Sequence, residues 1–292
     1  MLISVWIIFG IVDPRFFSFT NITGLLANVS GLMIITIGEI LVLLTGGIDL
    51  SIGHVAAVSM IIAVSIAGQI NDWVILLIIT LSVGAVFGLI NSFLIANIGI
   101  VSFICTLATG LIAKGMAFTI TKGYALPIPE NLISFGFEEW FRLPAIFVIS
   151  ILIVIIFEFL LSQTHWGRYV VLLGSNEKGL KFSGINHLFV KNTVYVISGL
   201  MSALGGFLIS VNMGAALPGI GDNILLQCIG GAVLGGVALT GGIGSIWKGV
   251  TGVLLLSTIT NGLNVWGVQW FDQLVILGLL LLVGTELTML RR

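Results

Sequence analysis

Charge is what this sequence has least of. Asp, Glu, Lys and Arg make up 8% of it, where a soluble domain carries about 25%. Hydrophobic residues make up 58%. A soluble fold of this size has too few polar groups here to cover its outside. Disorder, which needs low hydrophobicity, is excluded by the same balance. With 11 basic and 12 acidic side chains, a formal net charge of −1 and no basic run longer than Arg291-Arg292, there is no footprint for nucleic acid. The only cysteines, Cys105 and Cys228, stand alone in apolar stretches, and no Cys/His cluster has metal-ligand spacing. A phosphate-cradling GxxxxGK[ST] string is missing, since Lys248 is followed by Gly249 and Val250, so the chain does not bind ATP itself. His54, His165 and His187 form no Ser/His/Asp or Cys/His arrangement. The apolar runs are long and continuous, not short and alternating, which excludes a transmembrane barrel. What remains is an all-α, polytopic helical integral membrane protein.

Glycine is abundant: 38 of 292 residues, about twice the usual ~7%. Inside a bilayer small residues let helix backbones approach closely. Spans are expected near 31–46, 53–69, 73–97, 101–121, 144–161, 191–212, 223–240, 245–264 and 273–290. Residues 1–12 are apolar but rise only about 18 Å, so they read as a shortened first helix stopped by Asp13-Pro14. That makes about ten helices. Arg168, Lys178, Lys181, Lys191, Lys248 and Arg291-Arg292 fall on one side, which makes the loop 162–190 and the C-terminus cytoplasmic. The opposite side holds Arg15, Lys122 and Arg142 and most acidic residues. There, segment 122–143, with Pro127, Pro129 and Glu138-Glu139-Trp140-Phe141, is expected to form a short amphipathic interfacial helix. Leu44-Thr45-Gly46-Gly47-Ile48 recurs as Leu239-Thr240-Gly241-Gly242-Ile243, a hint of an internal repeat with breaks near 45–53 and 240–245.

Polar residues inside the spans are candidates for a substrate path or gate. Asp49 and Ser51 follow the first double glycine; they serve either as a cap for the next helix or in a pathway. Glu39 and Lys114 lie deep, either paired with each other or lining a polar route, while Glu158 and Glu286 are near enough to the inner end to snorkel. Asn91, with Ser92, suits interhelical hydrogen bonds. Asn261 and Asn264 share a helix face. Gly219-Ile-Gly-Asp222 matches the GxGD of intramembrane aspartyl proteases but lacks a second aspartate in the required context, so it reads as a glycine-rich external turn. In the inner loop, residues 174–184 form a short amphipathic helix between glycine stops, with Leu180 and Phe182 offering an apolar contact to a partner.

Four stretches in order resemble the permease subunits of sugar-type ATP-binding-cassette importers, the ribose/xylose/galactoside group. They are Leu44-Thr-Gly-Gly-Ile-Asp-Leu-Ser-Ile-Gly53; Gly88-Leu-Ile-Asn-Ser-Phe-Leu-Ile-Ala-Asn97 running into Phe103-Ile-Cys-Thr-Leu107; Gly174-Ser-Asn-Glu177 through Ser183-Gly-Ile185; and Gly235 to Gly244 with Asn261-Gly-Leu263 and Gly267-Val268. The resemblance implies a single transmembrane permease domain in a bacterial inner membrane, working with a second permease subunit, identical or paralogous. A periplasmic binding protein would deliver a small sugar and contact segment 122–143, with Glu130, Glu138 and Glu139 as its candidate partners. A cytoplasmic ATPase, holding ATP and Mg, would grip the loop at Asn176, Glu177, Lys178, Leu180, Phe182 and Gly184. Lys114 stands where the group usually has Arg, Lys248 where it usually has Gly, and Val101-Ser102 replace a common Pro-Pro pair. The other reading is an ion-coupled secondary carrier, which expects deep paired carboxylates on the path.

Overall fold

Apolar runs punctuated by glycine become helices separated by glycine turns. The computed structural model describes residues 2–67, 70 and 72–289, and for 283–289 the backbone alone. Arg291, Arg292 and the side chain of Glu286 therefore lie outside the described residues. Among those described there are thirteen α-helices. Ten form the bundle: α1 (Leu2–Val12), α2 (Phe19–Leu44), α3 (Ile52–Ala67), α4 (Trp73–Ser92, continuing as a π-turn through Phe93–Ile98), α5 (Ser102–Thr121), α7 (Ala145–Gln163), α10 (His187–Met213), α11 (Gly221–Leu234), α12 (Ile246–Val265) and α13 (Trp270–Met289). Three are short accessories: α6 (Glu130–Gly136), α8 (His165–Ser175) and α9 (Glu177–Phe182). Five of the bundle helices are long and apolar enough to cross a membrane; α1, α3, α11 and residues 270–282 of α13 are shorter apolar helices.

Three expectations are corrected, the first being that α11 ends at Leu234 and not near 240, so the second break runs from Gly235 to Ser245. The second helix begins at Phe19, not near 31, because Ser18 accepts the Asn21 amide at 3.3 Å and Thr23 returns its hydroxyl to the Phe19 carbonyl at 3.0 Å. Polar residues that interrupt the hydropathy signal are thus satisfied within the helix itself. On the same end of the bundle, Glu138–Phe141 form no helix. Glu139–Trp140 pair with Leu143–Pro144 as a two-residue hairpin, and the only helix of that segment is α6. Phe141 and Arg142 take positive φ at its turn, and Phe141 is almost wholly exposed.

α10 is the central post of the bundle, packed along α2, α3 and α4. Small residues make that possible. A Cβ added at Gly84 would overlap the Gly199 carbonyl, at Gly88 it would lie 2.8 Å from the Tyr195 carbonyl, and at Gly206 it would overlap the Ala56 backbone. Such contacts replace the hydrophobic driving force that is missing between helices in lipid. Where the space is filled, α10 has to move away from its neighbours. We expect Gly199→Val to destabilise the fold by about 1–3 kcal/mol by overpacking. Gly24→Ala, which meets nothing within 4 Å, should be neutral or stabilising by up to about 1 kcal/mol through helix propensity. Thermal unfolding in detergent compares the two, and equal behaviour would contradict the packing argument.

Candidate functional site

Both helix breaks lie at one end of the bundle and touch each other. The Gly242 amide donates to the Leu44 carbonyl at 2.9 Å, so the break after α2 is hydrogen-bonded to the break before α12. Gly46 and Gly241 both have positive φ (79° and 86°), which a side chain would strain. Gly174 of α8 completes the junction: a Cβ on Gly241 would meet Gly46 and Gly174 within 3.0 Å, and one on Gly174 would overlap the Leu44 carbonyl. The repeated Thr-Gly-Gly strings therefore form a backbone-to-backbone seam with α8 wedged on it.

Beyond the seam the first break turns back into the bundle and carries a buried polar network. Asp49 Oδ1 accepts the Ser51 amide at 2.9 Å and the Ser51 hydroxyl at 2.5 Å, and Oδ2 accepts the Ser198 hydroxyl of α10 at 2.8 Å. Ser51 Oγ in turn accepts Asn91 Nδ2 at 3.0 Å, and Asn91 Oδ1 accepts the Thr109 hydroxyl at 2.8 Å. The freed backbone of the break is covered by α5: Ile48 donates to Ser102 Oγ at 3.3 Å and Leu50 to Thr106 Oγ1 at 3.0 Å. Asp49, Ser51 and Asn91 are all buried. They join the break to α4, α5 and α10, and Asp49 serves as a hub across helices, not as a cap on α3 alone. Ser198, Thr109 and Ser102 were not legible beforehand, because a lone hydroxyl in an apolar helix carries no signal until its partner is placed.

Glu39 is fully buried on α2 with the Asp49 backbone beside its carboxyl, and among the described residues no side chain bonds to it. It does not pair with Lys114. Lys114 Nζ sits 2.7 Å from Asp222 Oδ2, and Asp222 lies in the first turn of α11, not in a loop. Glu158 does not snorkel: its Oε2 accepts the Ile246 and Trp247 amides at 2.9 and 3.3 Å, capping α12 from α7. Asn261 exchanges two 3.0 Å hydrogen bonds with Asn21 of α2. With Asn264, Asn28, Asn223 and Gln227 it lines a recess of about 240 Å³ at the end opposite the seam, just below the ~300–1,000 Å³ usual for small-molecule sites. That recess stops at Leu32 and Ile224, with the buried Cys228 beneath.

α8 and α9 form a platform beneath the seam. α8 went unseen in the sequence, and its Trp166 indole donates to Thr193 of α10 at 2.9 Å. Gly174 is no stop but part of this helix, which ends at Ser175. Asn176 caps α9, accepting the Gly179 amide at 2.8 Å. Leu180 is buried in the main core and only Phe182, 92% exposed, faces outward, so these two residues do not offer one apolar contact. Lys178 and Gly184 lie on the platform, with φ +73° at Gly184. Glu177 pairs with Lys181 at 3.2 Å and Lys191 at 3.6 Å. Burial raises its carboxyl, but the Lys181 hydrogen bond and the two lysine charges outweigh that and hold it below its ordinary 4.5. The pairs are therefore intact at neutral pH and lost only as pH falls through the lowered value. Glu130, Glu138 and Glu139 are exposed at the opposite end.

Long apolar helices, two broken ones and a polar hub at their junction define a multi-pass membrane protein built around re-entrant turns. The family described as branched-chain amino acid transport system / permease component matches residues 21–284, and the chain belongs to it. The L-arabinose transport system permease protein AraH of Escherichia coli K12 is 34% identical over 280 residues, 93% of this chain and 83% of that protein. The ribose import permease protein RbsC of Bacillus subtilis 168 is 36% identical over 286 residues, 96% and 88% of the two chains. The D-allose transport system permease protein AlsC of Escherichia coli K12 is 32% identical over 283 residues, 96% and 87%. No solved structure matches the chain. This membership selects the importer permease over the ion-coupled carrier.

The hub and the lone carboxyl predict opposite outcomes. Asp49→Ala leaves an amide and two hydroxyls without their acceptor and should cost at least about 2 kcal/mol. Glu39→Gln keeps the side chain's shape and a carbonyl oxygen and cannot carry charge beside Asp49, so its melting temperature should equal or exceed that of the wild type. Melting curves in detergent check both, and a marked loss of stability in Glu39→Gln would show that the carboxylate is held by a partner.

Proposed function

We propose that this chain is the membrane-spanning subunit of an ATP-driven importer for a small sugar or sugar-like solute. Two permease chains, identical or paralogous, form the path. A separate cytoplasmic chain binds ATP and Mg and hydrolyses the ATP, and a periplasmic solute-binding protein delivers the cargo to segment 122–143 at Glu130, Glu138 and Glu139. The end bearing α8 and α9 faces the cytoplasm, a reading supported by Arg168, Lys178, Lys181, Lys191 and Lys248 at that end. The sugar class is supported by the arabinose, ribose and allose permeases that resemble it.

One observation carries the coupling mechanism: Gly174 of α8 sits directly on the hydrogen bond that joins the two helix breaks. A partner gripping α9 at Asn176, Glu177, Lys178 and Phe182 moves α8 with it, because Asn176 donates its amide to the Leu172 carbonyl at the end of α8 and accepts the Gly179 amide at the start of α9, both at 2.8 Å. Displacing α8 shifts the Leu44–Gly242 seam, and the shift passes through Asp49 and Ser51 to α10 and α4. A rigid-body switch of this kind needs the partner to fit two states of the platform differently. In this reading Asp49, Ser51 and Asn91 form the gate's hinge, with Glu39 beneath it, and Asn261 belongs to the outer recess.

The test is ATPase activity in nanodiscs holding this chain, its ATPase and its binding protein. Hydrolysis stimulated by the binding protein is expected in the wild type. Glu177→Arg replaces the paired anion with a cation beside Lys181 and Lys191, and should abolish the stimulation. Failure of the ATPase to assemble with the wild-type chain would overturn the reading.

A further inference from the structure

Lys114, Asp222 and His54 form a charged cluster that the coupling mechanism leaves unused. Asp222 Oδ2 is 2.7 Å from Lys114 Nζ, and Oδ1 is 3.3 Å from His54 Nε2. Three helices meet there, α5, α11 and α3. Gly53 and Gly221 let α3 and α11 touch, since a Cβ on Gly53 would overlap the Gly221 carbonyl. That contact holds the buried His54 imidazole under the start of α11.

The cluster lies deep. Lys114 is seven residues inside the outer end of α5 at Thr121, about 10 Å at 1.5 Å per residue. Even so, the Asp222 side chain is 62% exposed and that of Lys114 36%. Charges at this depth do not face hydrocarbon; they face a partner or water. From Asp222 a groove of about 510 Å³ runs down the open face of α11 past Leu226, Ile229 and Val233 to Leu50 and Leu239. Those last two belong to the two helix breaks. The amide-lined recess on the other side of α11 ends at Leu32 and Ile224, whereas this groove reaches from the ion pair to the seam.

We propose that the open face of α11 is one wall of the solute path, closed by a second permease chain, and that Asp222 and Lys114 hold hydroxyl groups of the passing sugar there. The proposal rests on the importer reading. A carboxylate accepts two hydroxyl hydrogens and an ammonium donates to hydroxyl oxygens, so the pair suits a polyhydroxylated solute. Because the two charges neutralise each other, a neutral solute leaves without stranding a buried ion. His54 positions Asp222. The apolar wall below offers no further hydrogen bonds, so the solute is held at one station and released past it.

Two measurements on the complete transporter in proteoliposomes test this. Uptake of labelled L-arabinose, ribose and D-allose is compared between the wild type, Asp222→Asn, Lys114→Met and Lys114→Arg. Loss of one charge-assisted hydrogen bond should cut uptake of the transported sugar by about tenfold or more in the first two variants, with the amount of assembled complex unchanged, and Lys114→Arg should restore most of it. Separately, Leu226→Cys should react with a membrane-impermeant maleimide, and the transported sugar should slow that reaction. The native Cys105 and Cys228 are buried and give little background. Full uptake by Asp222→Asn overturns the hydroxyl site, and an inert Cys at 226 overturns the aqueous wall by placing it against lipid or a dry interface. A wild-type complex that takes up none of the sugars defeats the sugar-importer reading instead, and the labelling still decides whether the α11 face meets water.

Discussion

A helix that stops inside hydrocarbon exposes carbonyls and amides that no lipid can satisfy. This chain has two helix breaks at one end of the bundle, and both hand their freed groups to neighbouring protein. The carbonyl freed at Leu44 is taken by the Gly242 amide of the other break. The amides at Ile48 and Leu50 are taken by hydroxyls of α5. Each break thus completes the other, and the pair holds only while α5 and α8 stay in place. A seam joined by the Gly242–Leu44 backbone hydrogen bond and lined by Gly46, Gly174 and Gly241 can slide or part without repacking large side chains. That suits a joint that has to move.

Ionisable groups meet the same constraint in different ways. Asp49 is saturated by hydroxyls and an amide, Glu158 caps α12, and Lys114 is paired with Asp222. Glu39 is fully buried with only the Asp49 backbone beside it and no side-chain partner among the described residues. The first two arrangements tie helices together and read as structure that carries motion. The Lys114–Asp222 pair also ties α5 to α11 and, through His54, to α3, but unlike the other two it stays exposed.

The class, the helix count and the two breaks were legible in the sequence because they depend on composition and local pattern. Long apolar runs, double glycines and the scarcity of charge each have a direct physical meaning in a bilayer. The boundary at Phe19 is hidden from a hydropathy reading because polar residues that bond back to their own helix look like a loop. The amphipathic α8 is hidden for a related reason: it is too mixed to look like a span and too regular to be a loop. Glu138–Phe141 looked helical by composition, but positive φ at Phe141 and Arg142 turned the chain into a hairpin.

Pairings across the fold were beyond the sequence. Lys114 and Asp222 are 108 residues apart, and Asp49 and Ser198 are 149 apart. Nothing local in either partner specifies the other, since a carboxylate binds any donor that packing brings to it. The repeated Thr-Gly-Gly strings could be found by inspection, but their contact with each other and with Gly174 depends on how closely α2, α8 and α12 approach. By itself the sequence determined that this is a membrane-spanning, glycine-rich helical bundle with two breaks and one end richer in Lys and Arg, because the bilayer rewards those features residue by residue. Which charge meets which, and which face of α11 stays open, only the tertiary structure decided, because the energies involved depend on distances of a few ångströms between distant segments.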